Sequence, residues 1–211
     1  MDVMQMRRKL LMQKVSGGLP PEYQQVEYIK SDRYAFINTG IYGKNSICAT
    51  LDFQLTAVRD SFMFGGGQSA SQSSFRFLVR GGQWWATAYG NNSNQDIKPD
   101  GVQVAADTQR HTITQDGKYA YFDGRLGNTF GNDAAFVTPA PLYIFRHSNQ
   151  TDTTAAMDMK VYSCIIKDNN MNVRNFVPCY RISDNAIGMY DTIQGVFYTN
   201  ANTRGSFFLP T

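Results

Sequence analysis

The residues in this chain able to do chemistry are few. Only two glutamates, Glu22 and Glu27, and two histidines, His111 and His147, occur in 211 residues. Retaining glycoside hydrolysis needs two carboxylates about 5–5.5 Å apart, for example as E-x-D-x-x-E along one strand. That pattern is absent, and both glutamates fall in one short N-terminal stretch. Asp52 and Asp158, on the polar faces of strand-like segments, are the remaining carboxylate candidates. A Ser-His-Asp arrangement would have to use His111 or His147. His111 lies in RHTITQ, an alternating strand where a packed or hydrogen-bonded imidazole is expected. His147 opens the loop RHSNQTD, where a ring can be exposed. Neither accompanies a G-x-S-x-G elbow. Gly65-Gly66-Gly67 lacks the Lys and helix that make a phosphate loop. The expectation is a protein that is not an enzyme and needs no cofactor or metal.

Binding chemistry is better supplied. Sugars are held by aromatic faces together with planar amide and charged groups. Trp84 and Trp85 are adjacent, so on a strand they point to opposite sides: one into the core, the other outward. Arg76, Arg80 and Tyr89 are expected on the same outer sheet, and Asn91, Asn92, Asn94, Gln95 and Asp96 supply amides and a carboxylate. The expected glycan site is therefore Trp84, Trp85, Tyr89, Asn91, Asn92 and Asn94. The competing reading makes both tryptophans core or subunit-interface residues. Calcium at Asp96, Asp100 and Asp152 is a weaker alternative, and their spacing does not single it out.

The elements that must position these groups read as strands. Ser46–Thr56 alternates throughout, with Ile47, Ala49, Leu51, Phe53 and Leu55 on one face. Ser74–Arg80 puts Phe75, Phe77 and Val79 on one face and Arg76 and Arg80 on the other, which is expected to be wet. Lys118–Asp123, Leu142–Arg146 and Gly195–Asn200 are shorter runs. Met157–Lys167 alternates with Met157, Met159, Val161, Ser163 and Ile165 on one side. Turn signals separate them, among them Gly81-Gly82, Asp116-Gly117 and Asp123-Gly124. Many short strands with no helical periodicity between them predict two antiparallel sheets packed face to face. The longest loop-like stretch is Gly90–Asp107, a length often tied to function.

The net charge is confined to one end. Arg7, Arg8, Lys9 and Lys14 against Asp2 account for the whole net charge of +3, and the rest of the chain is balanced. A basic face for nucleic acid is therefore not expected. No apolar run approaches the roughly 20 residues of a membrane span. Residues 1–18 carry apolar groups at helical spacing, stopped by Gly17-Gly18 and Pro20-Pro21. They form no secretory signal. The segment is expected to be a docking peptide, with Met4, Arg7, Arg8, Lys9, Leu11 and Val15 as its attachment residues; a frayed tail and a membrane-surface helix are the alternatives. Residues 19–211 are expected to be one domain. The odd number of cysteines, Cys48, Cys164 and Cys179, argues against a disulfide scaffold and for a reducing cytoplasm, with Cys48 and Cys164 as small buried groups.

Two long stretches carry a resemblance. LPPEYQQVEYIKSDRYAFINTGI (Leu19–Ile41) resembles the start of concanavalin A-like, laminin-G-type jelly-roll domains of phage and prophage surface proteins of gut bacteria, typically "YQQVEYIESTGTQYIDTGI". RHTITQDGKYAYFDG (Arg110–Gly124) looks like that family's hairpin. Met159–Phe207, with NFVPCYRISDNAIGMYDTIQGVFYTNANTRGSF, is similar to its end. The resemblance spans 19–207 and is loose between Asp60 and Gln109. Asp32-Arg33-Tyr34 stands where the family has a Gly-Thr-Gln segment. It implies an all-β, two-sheet antiparallel jelly-roll sandwich behind a short N-terminal anchor segment. It further implies a non-enzymatic bacteriophage virion protein, a head or tail fibre or decoration adhesin assembled in the bacterial cytoplasm. In that setting residues 1–18 bind a capsid or tail protein, copies form a homo-oligomer, expected to be a trimer, and the domain displays a lectin-like surface to bacterial glycans. The alternatives are a prophage-encoded surface or secreted glycan-binding module and a purely structural virion subunit.

Overall fold

The computed structural model describes residues 18–69, 72–148 and 158–210. The expected attachment residues, Met4 to Val15, lie outside them, as do Met157 and Asp152. In chain order the strands are β1 (Tyr23–Gln25), β2 (Ile29–Ser31), β3 (Ile37–Lys44), β4 (Ile47–Leu55), β5 (Ser61–Gly66), β6 (Ser74–Arg80), β7 (Trp84–Gly90) and β8 (Gln95–Asp96). Then follow β9 (Arg110–Asp116), β10 (Tyr119–Phe122), β11 (Arg125–Thr129), β12 (Val137–Ile144), β13 (Met159–Asp168), β14 (Met171–Arg181), β15 (Ile187–Asp191), β16 (Val196–Tyr198) and β17 (Phe207–Phe208).

The small sheet runs β3-β12-β5-β6-β7-β8. The large one runs β11-β10-β9-β4-β13-β14-β15-β16, with β1, β2 and β17 added beside β14 and β13. The strand pairings are antiparallel. The chain leaves the small sheet after β3, returns for β5–β8, leaves again for β9–β11, and comes back once more for β12. These crossings make the two-sheet jelly-roll sandwich that the sequence led us to expect.

Strand β4 shows why the sequence folds this way. Ile47, Ala49, Leu51, Phe53 and Leu55 are at most 1% exposed, and each residue between them is half-buried on the outer face. Across the interior they meet Phe64, Phe75, Phe77, Val79 and Trp85 of the small sheet, and Phe53 contacts Trp85 edge-on at 5.4 Å. Burying each such aromatic contributes about 1.5–3 kcal/mol.

Strand β13 corrects the simple alternation. Its pairing with β4 slips between Val161 and Ser163, which leaves Tyr162 as an extra residue. Met159 and Val161 point inward as expected. Beyond the bulge Cys164 and Ile166 are the buried residues, not Ser163 and Ile165. Cys48 is also displaced from expectation: it sits half-buried on the outer side of β4, and burial followed by the Asp116 charge pushes its thiol up to about 11. Among the described residues all three cysteines are free thiols.

One buried ion pair ties the layers together. Arg174 of β14 donates Nε–H to the Thr39 carbonyl of the small sheet at 3.0 Å. The same nitrogen lies 3.5 Å from Asp191 Oδ2. Asp191 is 0% exposed, and its Oδ1 accepts from the backbone N–H of Asn175 and Ile193 at 2.9 and 3.0 Å.

Candidate functional site

The outer face of the small sheet departs most from an ordinary solvated sheet face. Register sets its membership. Arg76 stands opposite Ala88, Leu78 opposite Ala86, and Arg80 opposite Trp84, while Asp96 of β8 stands opposite Ala86. These residues share one face; Phe75, Phe77, Val79, Trp85, Thr87 and Tyr89 share the other.

Two arginines cross β7 over its alanines. Arg80 forks onto Asp96, whose side chain is 7% exposed, and Gln103 donates to the same carboxylate. The Asp96 hydrogen bond, set against slight desolvation, raises the Arg80 pKa above its usual value. Arg76 donates Nε–H and Nη2–H to Asn94 Oδ1 at 3.1 and 2.9 Å. The span from β6 to β8 is bridged only because β7 presents methyl groups beneath the guanidiniums. Gly65 makes room on the other side: with φ +132, any Cβ there would stand 2.5 Å from Arg76 Cα and 2.6 Å from Arg76 Cβ.

This face was expected to be wet, and at Arg76 it is not: Arg76 is 4% exposed and Leu78 3%. Side-chain bridges between β6 and the loop 94–103 roof it. His147 is likewise buried rather than exposed, at 2%. Its ring lies 4.9 Å from that of Phe62. Burial, then the charges of Arg76 and Arg146, pushes its pKa down to about 3.

That shift makes a testable statement about stability. The unfolded chain takes up a proton on His147 near pH 6.5, but the folded chain does not until about pH 3. Between those values the unfolded state binds more protons, so stability falls as pH falls. His147→Asn removes the titration. The difference in urea-denaturation stability between wild type and variant should shrink from pH 6.5 toward pH 4, by up to about 1.4 kcal/mol per pH unit. A constant difference would refute the assignment.

The six expected glycan-site residues separate. Trp84 is the outward member of the pair, half-buried and directly opposite Arg80. Trp85 and Tyr89 are corrections, both 0% exposed and inward, because each lies an odd number of residues from Trp84. Tyr89 therefore does not share a face with Arg76 and Arg80. Its hydroxyl donates to Asp133 Oδ1 at 2.7 Å; burial first, then that bond, raises its pKa. Asn91 Oδ1 accepts from the Ser73 N–H, and Asn92 is a staple between Tyr89 O and Asn132. Asn94 alone of the three faces the arginines. Phe62, Gln103 and His147 complete the face. Alternation with Phe64 would send Phe62 inward, and only the bulge between them puts it on the outer face.

The groups weighed for catalysis are engaged elsewhere. His111 Nδ1 meets Asp123 Oδ2 at 2.7 Å and Nε2 meets Asp107 Oδ1 at 2.9 Å, so both ring nitrogens face carboxylates. Asp52 is forked by Arg110 at 2.9 and 2.8 Å, and Asp158 pairs with Arg59 at 3.2 Å. Of the calcium candidates, Asp96 is held by Arg80 and Asp100 by Arg125. No helix among the described residues is long and apolar enough to cross a membrane.

No protein-family model matches this chain, and no curated protein does. Among solved structures it is similar to the mouse laminin alpha1 chain, domains LG4-5, with a TM-score of 0.40 and 10% sequence identity. The likeness covers 78% of this chain and 48% of that one, so this chain spans about half the length of that structure.

Proposed function

We propose that this protein is a non-catalytic glycan-binding module, with the outer face of the small sheet as its contact surface. The observation that carries the reading is Trp84. It is a half-buried tryptophan on a rigid strand, beside a guanidinium that is 48% exposed and held by Asp96, a carboxylate that Gln103 also bonds. An aromatic platform next to fixed planar donors is the chemistry that stacks on and hydrogen-bonds a sugar ring. The engagement of His111 and Asp52 in other pairs supports the absence of catalysis.

The module is carried on a bacteriophage particle, anchored through residues 1–18, and acts as a trimer whose weak contacts add by effective concentration. The resemblance of Leu19–Ile41 and Met159–Phe207 to phage jelly-roll proteins supports this context. A structural-subunit role is the second reading. It is favoured by Ile193 and Val196 at the β16 edge and Ile182 beyond β14, exposed by 43%, 44% and 53%.

An array of bacterial surface glycans probed with multivalent protein separates the two. Wild type should bind at least one glycan, and Trp84→Ala should lose at least tenfold in affinity. No binding by wild type leaves the structural-subunit reading. Deletion of residues 1–18 should remove the protein from purified particles, read by mass spectrometry; its continued incorporation would refute the anchor.

A further inference from the structure

In the large sheet β15 and β17 approach each other without pairing. Beside them is an open groove of about 320 Å³, walled by residues 185–187, 199–200 and 205–207. That is the small end of ligand-pocket sizes, roughly 300–1,000 Å³.

Hydrogen-bond parity decides what the walls present. Along an antiparallel strand, successive residues turn their main-chain groups to alternate neighbours. The Ala186 carbonyl accepts from Arg181 N–H at 2.9 Å, and Thr192 N–H donates to the Asn175 carbonyl at 3.0 Å. Even-numbered positions along β15 therefore serve β14. Odd-numbered ones face β16, in the register Asp191↔Val196 and Met189↔Tyr198. The next pair in that register would join Ile187 to Asn200, but Asn200 is drawn off. Its Oδ1 accepts from Phe36 N–H and Asn202 N–H at 3.1 and 2.9 Å, and its Nδ2 donates to the Arg204 and Gly205 carbonyls at 3.0 and 3.1 Å. The ladder forks there, and Ile187 N–H and C=O look into the groove. On the other wall, the Ser206 carbonyl accepts from Asp32 N–H at 3.3 Å, and Ser206 N–H donates to Asp32 Oδ2 at 2.8 Å. Ser206 and Phe208 thus turn toward β2, and Phe207 between them turns its N–H and C=O away from β2, to the groove.

The chemistry of the walls selects the ligand. Every lining residue is uncharged. The nearby carboxylates are engaged: Asp184 is forked by Arg181 at 3.0 and 2.6 Å, and Asp32 accepts from the N–H groups of Tyr34, Ala35 and Ser206. An ion finds no counter-charge in the walls. Each main-chain N–H and C=O pair suits a ligand that donates and accepts at adjacent atoms, as vicinal hydroxyls do. The exposed Thr199 and Ser206 add hydroxyl groups at the rim. Tyr34, 49% exposed, stands against Gly205, where a Cβ would lie 2.6 Å from Tyr34 Cβ. It brings an aromatic group for the C–H face of a sugar ring. Each wall offers the paired groups of a single residue, too short a ladder for an extended peptide.

We infer that this groove is a second sugar-binding site, taking a neutral mono- or disaccharide whose adjacent hydroxyls pair with the main-chain groups of Ile187 and Phe207. It shares no residue with the Trp84 face and does not rest on that reading.

Amide-proton NMR of the deuterated full chain tests it. The probes are maltose, cellobiose, lactose and diacetylchitobiose at tens of millimolar, and glucose beside glucuronic acid. At least one disaccharide should move the amide signals of Ile187 and Phe207. Thr199→Trp, at an exposed wall position, should weaken that binding at least tenfold. Tyr34→Ala should weaken it severalfold, and Trp84→Ala should leave it unchanged. Silence of the Ile187 and Phe207 amides toward all four disaccharides overturns the inference and leaves the Trp84 reading standing. So does binding lost in Trp84→Ala but kept in Thr199→Trp. Glucuronic acid held in the groove more tightly than glucose overturns the neutral class. Binding kept in Trp84→Ala and lost in Thr199→Trp supports the groove whatever becomes of the Trp84 face. If Thr199→Trp does not fold, the wild-type amide shifts decide.

Discussion

Replacing Asp191 with alanine should destabilise the fold by about 3–5 kcal/mol, the cost of stranding a buried charge. The carboxylate is 0% exposed and does two things. Oδ1 closes the backbone N–H groups of Asn175 and Ile193, and Oδ2 faces the Arg174 guanidinium that reaches across to Thr39. Alanine removes both and leaves a cation between the sheets. Asp191→Asn separates the contributions, because it keeps an acceptor for the N–H groups while deleting the charge; it should cost less than alanine. Arg174→Met with Asp191→Asn should be more stable than the sum of the single losses implies, with a coupling of about 1–3 kcal/mol. Urea denaturation of the four proteins measures it. Strict additivity would show that the pair contributes only packing.

The tryptophan pair should divide stability from binding. Trp85 is fully buried against Phe53, Phe122 and His111 at 5.4–5.8 Å, and Trp85→Ala should cost about 3–5 kcal/mol. Its Nε1 is buried without a partner, so Trp85→Phe removes an unsatisfied donor with the extra ring and should cost far less, about 1 kcal/mol. Trp84→Ala, on the outer face, should change stability by about 1 kcal/mol or less while costing at least tenfold in glycan affinity. A Trp84→Ala protein that is as badly destabilised as Trp85→Ala would make Trp84 a core residue and remove the platform. Thermal melts and the glycan titration together read out both effects.

Some of this was written in local pattern. The β4 alternation, the hairpin turns at Asp116-Gly117 and Asp123-Gly124, and the opposed tryptophans each depend on neighbours in sequence. Asp123 and Gly124 adopt φ of +48° and +77°, the left-handed pair that a two-residue hairpin demands. The β13 bulge was not legible, because an extra residue in one strand shows only against the strand it pairs with. Tyr89 shares the face of Trp85, so placing it beside Arg76 required Trp85 to be the outward tryptophan, and only the pairing of β6 with β7, which sets Arg80 opposite Trp84, decides otherwise.

Side-chain alternation along single strands was enough to determine the two-layer β body and the inward set of residues, since a pleated strand sends successive side chains to opposite faces. Which outward face would be roofed was decided only by tertiary structure. Arg76 meets Asn94 across β7, Phe62 meets His147 across 85 residues, and Arg174 reaches Thr39 across 135. Burial of a polar group depends on partners that the fold brings together, and no local period encodes them.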